Sequence, residues 1–246
     1  MTSEQLVQHL GFLKLNFTKE HFECFAAEAA KAGHTHVAYL AQLMQGEACA
    51  KQDRATLRRI NLARFPVIKT LDHFQWSWPT KINRPQIQNL LRLQFIEAKE
   101  NVIFLGGVGL GKTHLSSAIG YQACLSGHSV LFTTAIEAIN ALSSAQAAGR
   151  LKQELRRFLR PALLILDELG YLPIDKHGAD LLFQIISQRY ERGSILVTSN
   201  RAYKHWHQIF NNDTTLTSAI LDRLLHHSDT IQLAGKSFRM KDQIPD

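Results

Sequence analysis

Cysteine is scarce and scattered. Cys24, Cys49 and Cys124 are an odd number with wide spacing and no C-x-x-C pair, which leaves neither a disulfide framework nor a structural zinc site. Long hydrophobic runs are missing too, since no uncharged apolar stretch approaches the ~18 residues of a membrane span. The opening MTSEQLVQHLGF lacks the basic region and apolar run of a signal peptide, so the chain reads as cytoplasmic with no membrane partner. Proline (6) and glycine (14) are too sparse for a collagen-like or low-complexity chain. What is present is ordinary for a globular protein: 246 residues, 45% hydrophobic and 20% charged, enough to build a core without disulfides or metal.

The charge is uneven. The chain carries a formal +7, and residues 51–92 alone hold nine basic residues against Asp53 and Asp72. From residue 96 onward the count is 16 basic against 14 acidic. A basic region beside a nearly neutral one suggests an anionic partner held by one part of the molecule; a merely solvated basic face is the plain alternative.

Residues 1–64 read as a helical N-terminal domain, with Leu6, Leu10 and Leu13, then Phe22, Phe25 and Ala29, then Val37, Leu40 and Met44 at helical spacing around an interruption at Gly33. Leu57, Ile60 and Leu62 share the last segment with Arg54, Arg58 and Arg59, as on a helix with one packed and one basic face. Residues 65–85 change character: Pro66, Pro79 and Pro85 exclude one continuous helix, and Phe65, Phe74, Trp76 and Trp78 supply apolar bulk. They read as a packed connector, with Trp76 and Trp78 on one side of an extended strand. A helix is expected over 86–98. From 101 on, short apolar strands (102–105, 130–133, 163–166, 195–198 and 230–233) alternate with helices (112–126, 135–158, 178–192 and 215–226). That alternation specifies an α/β domain over 86–246, a mostly parallel sheet covered on both faces in three α/β/α layers, with ligand at the carboxyl ends of the strands.

The strongest local signal is Gly106, Gly107, Val108, Gly109, Leu110, Gly111, Lys112 and Thr113, which fills every fixed position of G-x-x-x-x-G-K-[ST]. It follows a strand and opens a helix with Thr113 and His114, the context a P-loop requires. Glycines let backbone N–H groups close around phosphates; Lys112 is suited to the β- and γ-phosphates of ATP and the Thr113 hydroxyl to Mg²⁺. After the apolar run Leu163–Leu166 come Asp167, suited to hold Mg²⁺ through its water shell, and Glu168, suited to orient and deprotonate an attacking water. Taken alone, such a pair is a solvated turn. Asn200 ends the next strand, where a neutral amide can bond both phosphate and water; a cap or turn role fits equally. Arg223, in LDRLL, is a candidate cation for a neighbouring subunit's ATP, or else an intramolecular ion pair near Asp222. Arg239 reads as a surface arginine, with phosphate contact the alternative. Arg150, Lys152, Arg156, Arg157 and Arg160 form a second basic cluster, suited to DNA phosphates or to a solvated helix face. No motif that reads base sequence is present, so backbone contact and DNA deformation are expected.

Lys69–Phe74 (KTLDHF), Gly106–Thr113, Leu166–Tyr171 (LDELGY), Val197–Asn200 (VTSN) and Ala219–Leu224 (AILDRL) together resemble the IstB-type ATP-binding proteins. These are AAA+ helper ATPases of insertion sequences, related to replicative helicase loaders. The resemblance covers nearly the whole chain. It implies an AAA+ P-loop fold after a small helical N-terminal domain, with Lys112 and Thr113 as the Walker A pair and Asp167 and Glu168 as Walker B. It also implies Asn200 as first sensor and Arg223 as intersubunit arginine finger. ATP and Mg²⁺ are the implied cofactors; duplex DNA, a cognate transposase and further copies of the chain, with ATP sites between subunits, are the implied partners. A helicase loader is the alternative within this architecture; a nucleotide-gated assembly protein with little turnover is the alternative outside it. One departure is visible: 13 residues follow Leu233, too few for the C-terminal helical lid of larger AAA+ proteins, which leaves Arg239 as the substitute for a second sensor.

Overall fold

The computed structural model describes residues 2–240. By compactness the chain splits into two units, Met1–Arg58 and Arg59–Asp246, of which residues 2–58 and 59–240 are described. The division falls inside a helix, and the proline- and aromatic-rich segment 65–85 lies in the second unit.

The first unit is helical: α1 (Ser3–Phe12), α2 (Asn16–Ala32) and most of α3 (His36–Ala63). Thr2 and Gln5 form a capping box on α1, which satisfies two end donors reciprocally. Gly33 ends α2 in the left-handed region at φ +65. No side chain of its own caps the start of α2. Glu47 of α3 does so instead, accepting from the Thr18 amide at 2.9 Å and the Thr18 hydroxyl at 3.3 Å. Beside it, a Cβ on Gly46 would overlap the Phe17 ring, so glycine there makes room for that ring against α3.

The second unit carries a five-stranded parallel sheet: β1 (Asn101–Gly106), β2 (Val130–Thr134), β3 (Leu163–Leu169), β4 (Ser194–Ser199) and β5 (Ser228–Leu233), in the order β2-β3-β4-β1-β5. Its strands are apolar because both faces are covered. Ile103, Leu105, Leu131, Leu164, Leu166, Ile195 and Val197 pack into one core with α7 (Ala135–Ala147), α8 (Leu151–Leu159), α9 (Lys176–Arg189) and α10 (Thr214–Leu225). The alternate residues Val102, Phe104, Phe132, Ile165 and Leu196 face the other way, as the two-residue period of a strand demands. There they meet α4 (Arg84–Leu90), α5 (Gln94–Glu97) and α6 (Lys112–Leu125) together with Phe65, Phe74 and Trp76.

Three expected elements differ. The helix expected over 135–158 is two, because Gly149 takes φ +67 and the Arg150 amide bonds back to Ala145, the closing turn of a glycine-terminated helix. The helix over 86–98 is broken where Leu93 stands at φ +61. Trp76 and Trp78 lie in turns, not a strand. Trp76 packs on Phe74 and under Arg84, while Trp78 meets the edge of Phe238 and donates to the Lys236 carbonyl. No described helix is long and apolar enough to cross a membrane.

Candidate functional site

β1 ends at Gly106 and α6 begins at Lys112, so residues 107–111 form the loop between them at the carboxyl edge of the sheet. Gly109 (φ +75) and Gly111 (φ +86) hold conformations that an L side chain rarely adopts. Space forbids a side chain as well: a Cβ on Gly111 would stand 2.6 Å from the Phe74 ring, and one on Gly109 2.0 Å from the Ser237 hydroxyl. The loop thus lies closely against chain on both sides, and Phe238 donates its N–H to the Gly109 carbonyl at 2.9 Å.

Lys112 is 6% exposed and donates to the carbonyls of Gly106 and Gly107, each at 2.7 Å. Burial holds its ammonium below the ordinary lysine range; Asp167 and Glu168 pull the other way, and Arg239 adds to the lowering. Next along α6, the Thr113 hydroxyl donates to Asp167 at 2.9 Å to Oδ2 and 3.2 Å to Oδ1. His114 bonds the Thr70 carbonyl at 2.8 Å and packs edge-on to Phe74, and burial lowers its pKa.

Asp167 and Glu168 lie near the end of β3, where the register with β4 shifts between Leu166 and Leu169. Such a bulge re-aims side chains beside functional sites. Glu168 takes φ +61, and its amide donates to the Thr198 hydroxyl at 3.0 Å. That hydroxyl in turn donates to Asp167 Oδ1. Asn200, one residue past β4, carries a buried Oδ1 without a hydrogen-bond partner among the described residues.

A cavity of about 610 Å³ opens beside these groups; Asp167 and Asn200 do not line it. Its wall includes Gly109–His114, Glu168, Tyr171 and Thr198, together with Val67, Lys69, His73, Phe74, Trp78, Phe238 and Arg239. Cavities of several hundred Å³ accept a ligand of nucleotide size. The Thr113–Asp167 pair supplies the hard oxygen donors Mg²⁺ prefers, so the residues present fit both groups. Away from this wall, exposed Glu191, His226 and His227 bring three ligand atoms within 4.8 Å of one another.

The remaining predicted residues lie elsewhere. Arg223, on α10, is half-buried and is not among the cavity-lining residues; it donates to its own helix at the Ala219 carbonyl (2.9 Å) and covers the Phe183 ring. These bonds take the place of the ion pair considered for it near Asp222. Among the basic candidates, Arg54 pairs with Glu47 and Arg157 with Glu154, while Arg59 donates to the Cys124 carbonyl. Arg58, Arg150, Lys152, Arg156 and Arg160 are exposed. Arg239 is exposed, but it lines the cavity and acts electrostatically on Lys112. Sequence reasoning passed over Thr198 and Tyr171, and treated Trp78 only as packing. The signal for Thr198 was a hydroxyl residue at the tip of the strand that precedes Asn200.

Comparison with known proteins agrees with this geometry. The chain is 38% identical over 240 residues to the ATP-binding protein of insertion sequence IS5376 from Geobacillus stearothermophilus, covering 98% of this chain and 95% of that one. It is 39% identical over 234 residues to the ATP-binding protein of insertion sequence IS21 from Pseudomonas aeruginosa, covering 95% and 88%. In fold it resembles the DnaI crystal structure (TM-score 0.57, 19% identity, 72% of this chain and 92% of that one). It also resembles AMPPCP-bound DnaA from Aquifex aeolicus (TM-score 0.55, 22% identity, 67% and 50%). The model of the IstB-like ATP binding proteins matches residues 8–245; with its parallel sheet, phosphate loop and acid pair in place, this chain belongs to that family.

Proposed function

We propose that the chain binds and hydrolyses ATP with Mg²⁺ at the cavity over β1, β3 and β4, and uses the cycle to assemble on duplex DNA as a helper of a transposase. The observation that carries this reading is the meeting of Thr113 and Asp167, 2.9 Å apart, beside a buried Lys112, with Lys112 and Thr113 both lining a nucleotide-sized cavity. Bound Mg²⁺ supplies charge neutralisation on the phosphate oxygens. Thr113 Oγ1 and the Asp167 carboxylate are the groups to hold it. Lys112 leaves the carbonyls of Gly106 and Gly107 for the phosphates, and the glycine loop presents its N–H groups to them. A Glu168 carboxylate oxygen accepts a proton from water as the water oxygen attacks the γ-phosphorus; the bond to the β–γ bridging oxygen breaks, giving ADP and phosphate. Asn200 Oδ1 is buried and unpartnered among the described residues and lies outside the cavity wall, so it would serve that water as an acceptor only once nucleotide binding opens it to the site.

Arg223 lies outside the cavity wall on its own chain; its service to a neighbour's triphosphate rests on the resemblance of AILDRL to the family's arginine-finger segment. Assembly then depends on nucleotide, and many weak basic contacts (Arg58, Arg150, Lys152, Arg156 and Arg160 among them) add to one salt-sensitive DNA grip. A transposase is favoured over a replicative helicase as partner because likeness to insertion-sequence proteins runs through 98% of the chain at 38% identity, whereas likeness to the DnaC helicase loader is 20% over 67%.

The test is ATP turnover and particle size with and without duplex DNA, followed by addition of transposase or helicase. DNA-stimulated turnover, ATP-dependent oligomers and stimulation of the transposase alone are expected. Turnover and size indifferent to DNA and nucleotide would overturn the reading. Mixing Arg223→Ala with Glu168→Gln subunits restores part of the turnover if sites are shared. No restoration in mixed oligomers shown to form would remove Arg223 as a donated finger.

A further inference from the structure

β3 leaves its ladder where the acid pair begins. Leu166 still opposes Val197 of β4, but the next paired residue is Leu169, opposite Ser199. Asp167 and Glu168 are therefore without register partners on the β4 side. Such an interruption frees the backbone to turn the acids out of the sheet, at the cost of an amide without its ladder acceptor. The Glu168 amide finds its acceptor in a side chain, the Thr198 hydroxyl at 3.0 Å.

The same hydroxyl faces Asp167 Oδ1. Its roles are unambiguous: an amide only donates and a carboxylate only accepts, so Thr198 Oγ1 accepts from Glu168 N–H and gives its single proton to Asp167. Thr113 donates to the same carboxylate, 2.9 Å from Oδ2 and 3.2 Å from Oδ1. One 1% exposed residue thus ties the backbone of one acid to the carboxylate of the other. Glu168 needs such a tie, because a non-glycine residue at φ +61 stands in the left-handed region that L side chains rarely adopt.

We infer that Thr198 is a positioning residue of the hydrolytic site, whose hydroxyl clamps Asp167 and Glu168 in fixed mutual geometry. The inference rests on the reading of those two acids as metal-holding group and base. It differs from the role of Asn200 two residues on, since Thr198 acts through the acids. A hydroxyl, not a shape, is what the site uses.

The variants follow from that distinction. Thr198→Val keeps the volume and the branched Cβ and removes the hydroxyl; Thr198→Ser keeps the hydroxyl. In the nucleotide-free protein, amide hydrogen exchange at Glu168 should be about 10-fold or more faster in Thr198→Val and near wild type in Thr198→Ser. In turnover assays, Thr198→Val should lower kcat by roughly 10- to 100-fold and raise the Mg²⁺ concentration for half-maximal rate, with ATP affinity measured without Mg²⁺ unchanged. Thr198→Ser should restore most of the rate. Wild-type kcat, Mg²⁺ requirement and exchange in Thr198→Val would overturn the inference. So would equal losses in Val and Ser variants, which mark a packing role. Glu168→Gln in the same series separates the two levels: a normal rate there removes the reading of the site, whereas a large loss there with a normal Thr198→Val removes only the clamp.

Discussion

Replacing Lys112 by methionine keeps the aliphatic stem in its buried channel and deletes the ammonium. In the free protein that ammonium donates to the carbonyls of Gly106 and Gly107 at 2.7 Å each, and on binding it exchanges them for phosphate oxygens. Bonds in which either partner is charged contribute about 1.5–3 kcal/mol apiece, and the ammonium is charged against both kinds of acceptor. Exchanging two carbonyls for two anionic phosphate oxygens moves each bond toward the upper end of that range and favours the bound state by about 1–3 kcal/mol, or roughly 5- to 160-fold in ATP affinity. The assay is calorimetric titration of ATP with Mg²⁺ into wild type and Lys112→Met. A pH series sharpens it. Burial lowers the Lys112 pKa from the ordinary 10.5, so the binding-competent ammonium is lost at a lower pH than an exposed lysine would lose it. Wild-type affinity should fall as pH rises into that range, with the variant insensitive through the same window. Affinities within ~2-fold at neutral pH, or parallel pH slopes, would refute the assignment of Lys112 to the phosphates.

Arg189 is 1% exposed and spans the carbonyls of Phe158, Leu159, Pro161, Ala162 and Ser194, tying α8 to the amino ends of β3 and β4; burial brings its pKa down to about 10. Arg189→Met should destabilise the second unit by about 3 kcal/mol or more, read by denaturant unfolding, because several buried acceptors lose their donor at once; a loss below ~1 kcal/mol would contradict that role. In the first unit, Glu47 is 3% exposed; burial raises its pKa, but the Thr18 amide and hydroxyl, with Lys51 and Arg54, outweigh it and leave the pKa below the ordinary 4.5. A lowered carboxyl pKa contributes stability above the unfolded value and loses it as pH falls through the folded one. Glu47→Gln should therefore cost about 1–2 kcal/mol at neutral pH, with the difference in melting shrinking as pH drops below 4.5; a difference independent of pH would contradict the charged cap.

The parts of the fold legible in the sequence were those written locally. Four-residue apolar runs marked the strands, and the phosphate loop sits where its strand and helix neighbours put it. Chain reversals carried less signal. Gly149 was visible, yet the alanines around it sustain a helical pattern, and Leu93 at φ +61 has no compositional mark at all. The strand order and the β3 bulge are properties of pairing, which no single segment specifies. For that reason Thr198, distant from Asp167 by 31 positions, was passed over, while Thr113 and Asp167 stood out through motifs of their own. Arg239 illustrates the same limit: it lies far along the chain from Lys112, and only the fold brings it to the cavity wall.

The central claim is most directly tested by a structure of the chain with Mg²⁺ and a non-hydrolysable ATP analogue. The account predicts phosphates against residues 107–113 with Lys112 turned onto them, and the metal between Thr113 and Asp167. An analogue bound elsewhere, or Lys112 still on the Gly106 and Gly107 carbonyls with the triphosphate unheld, would contradict it.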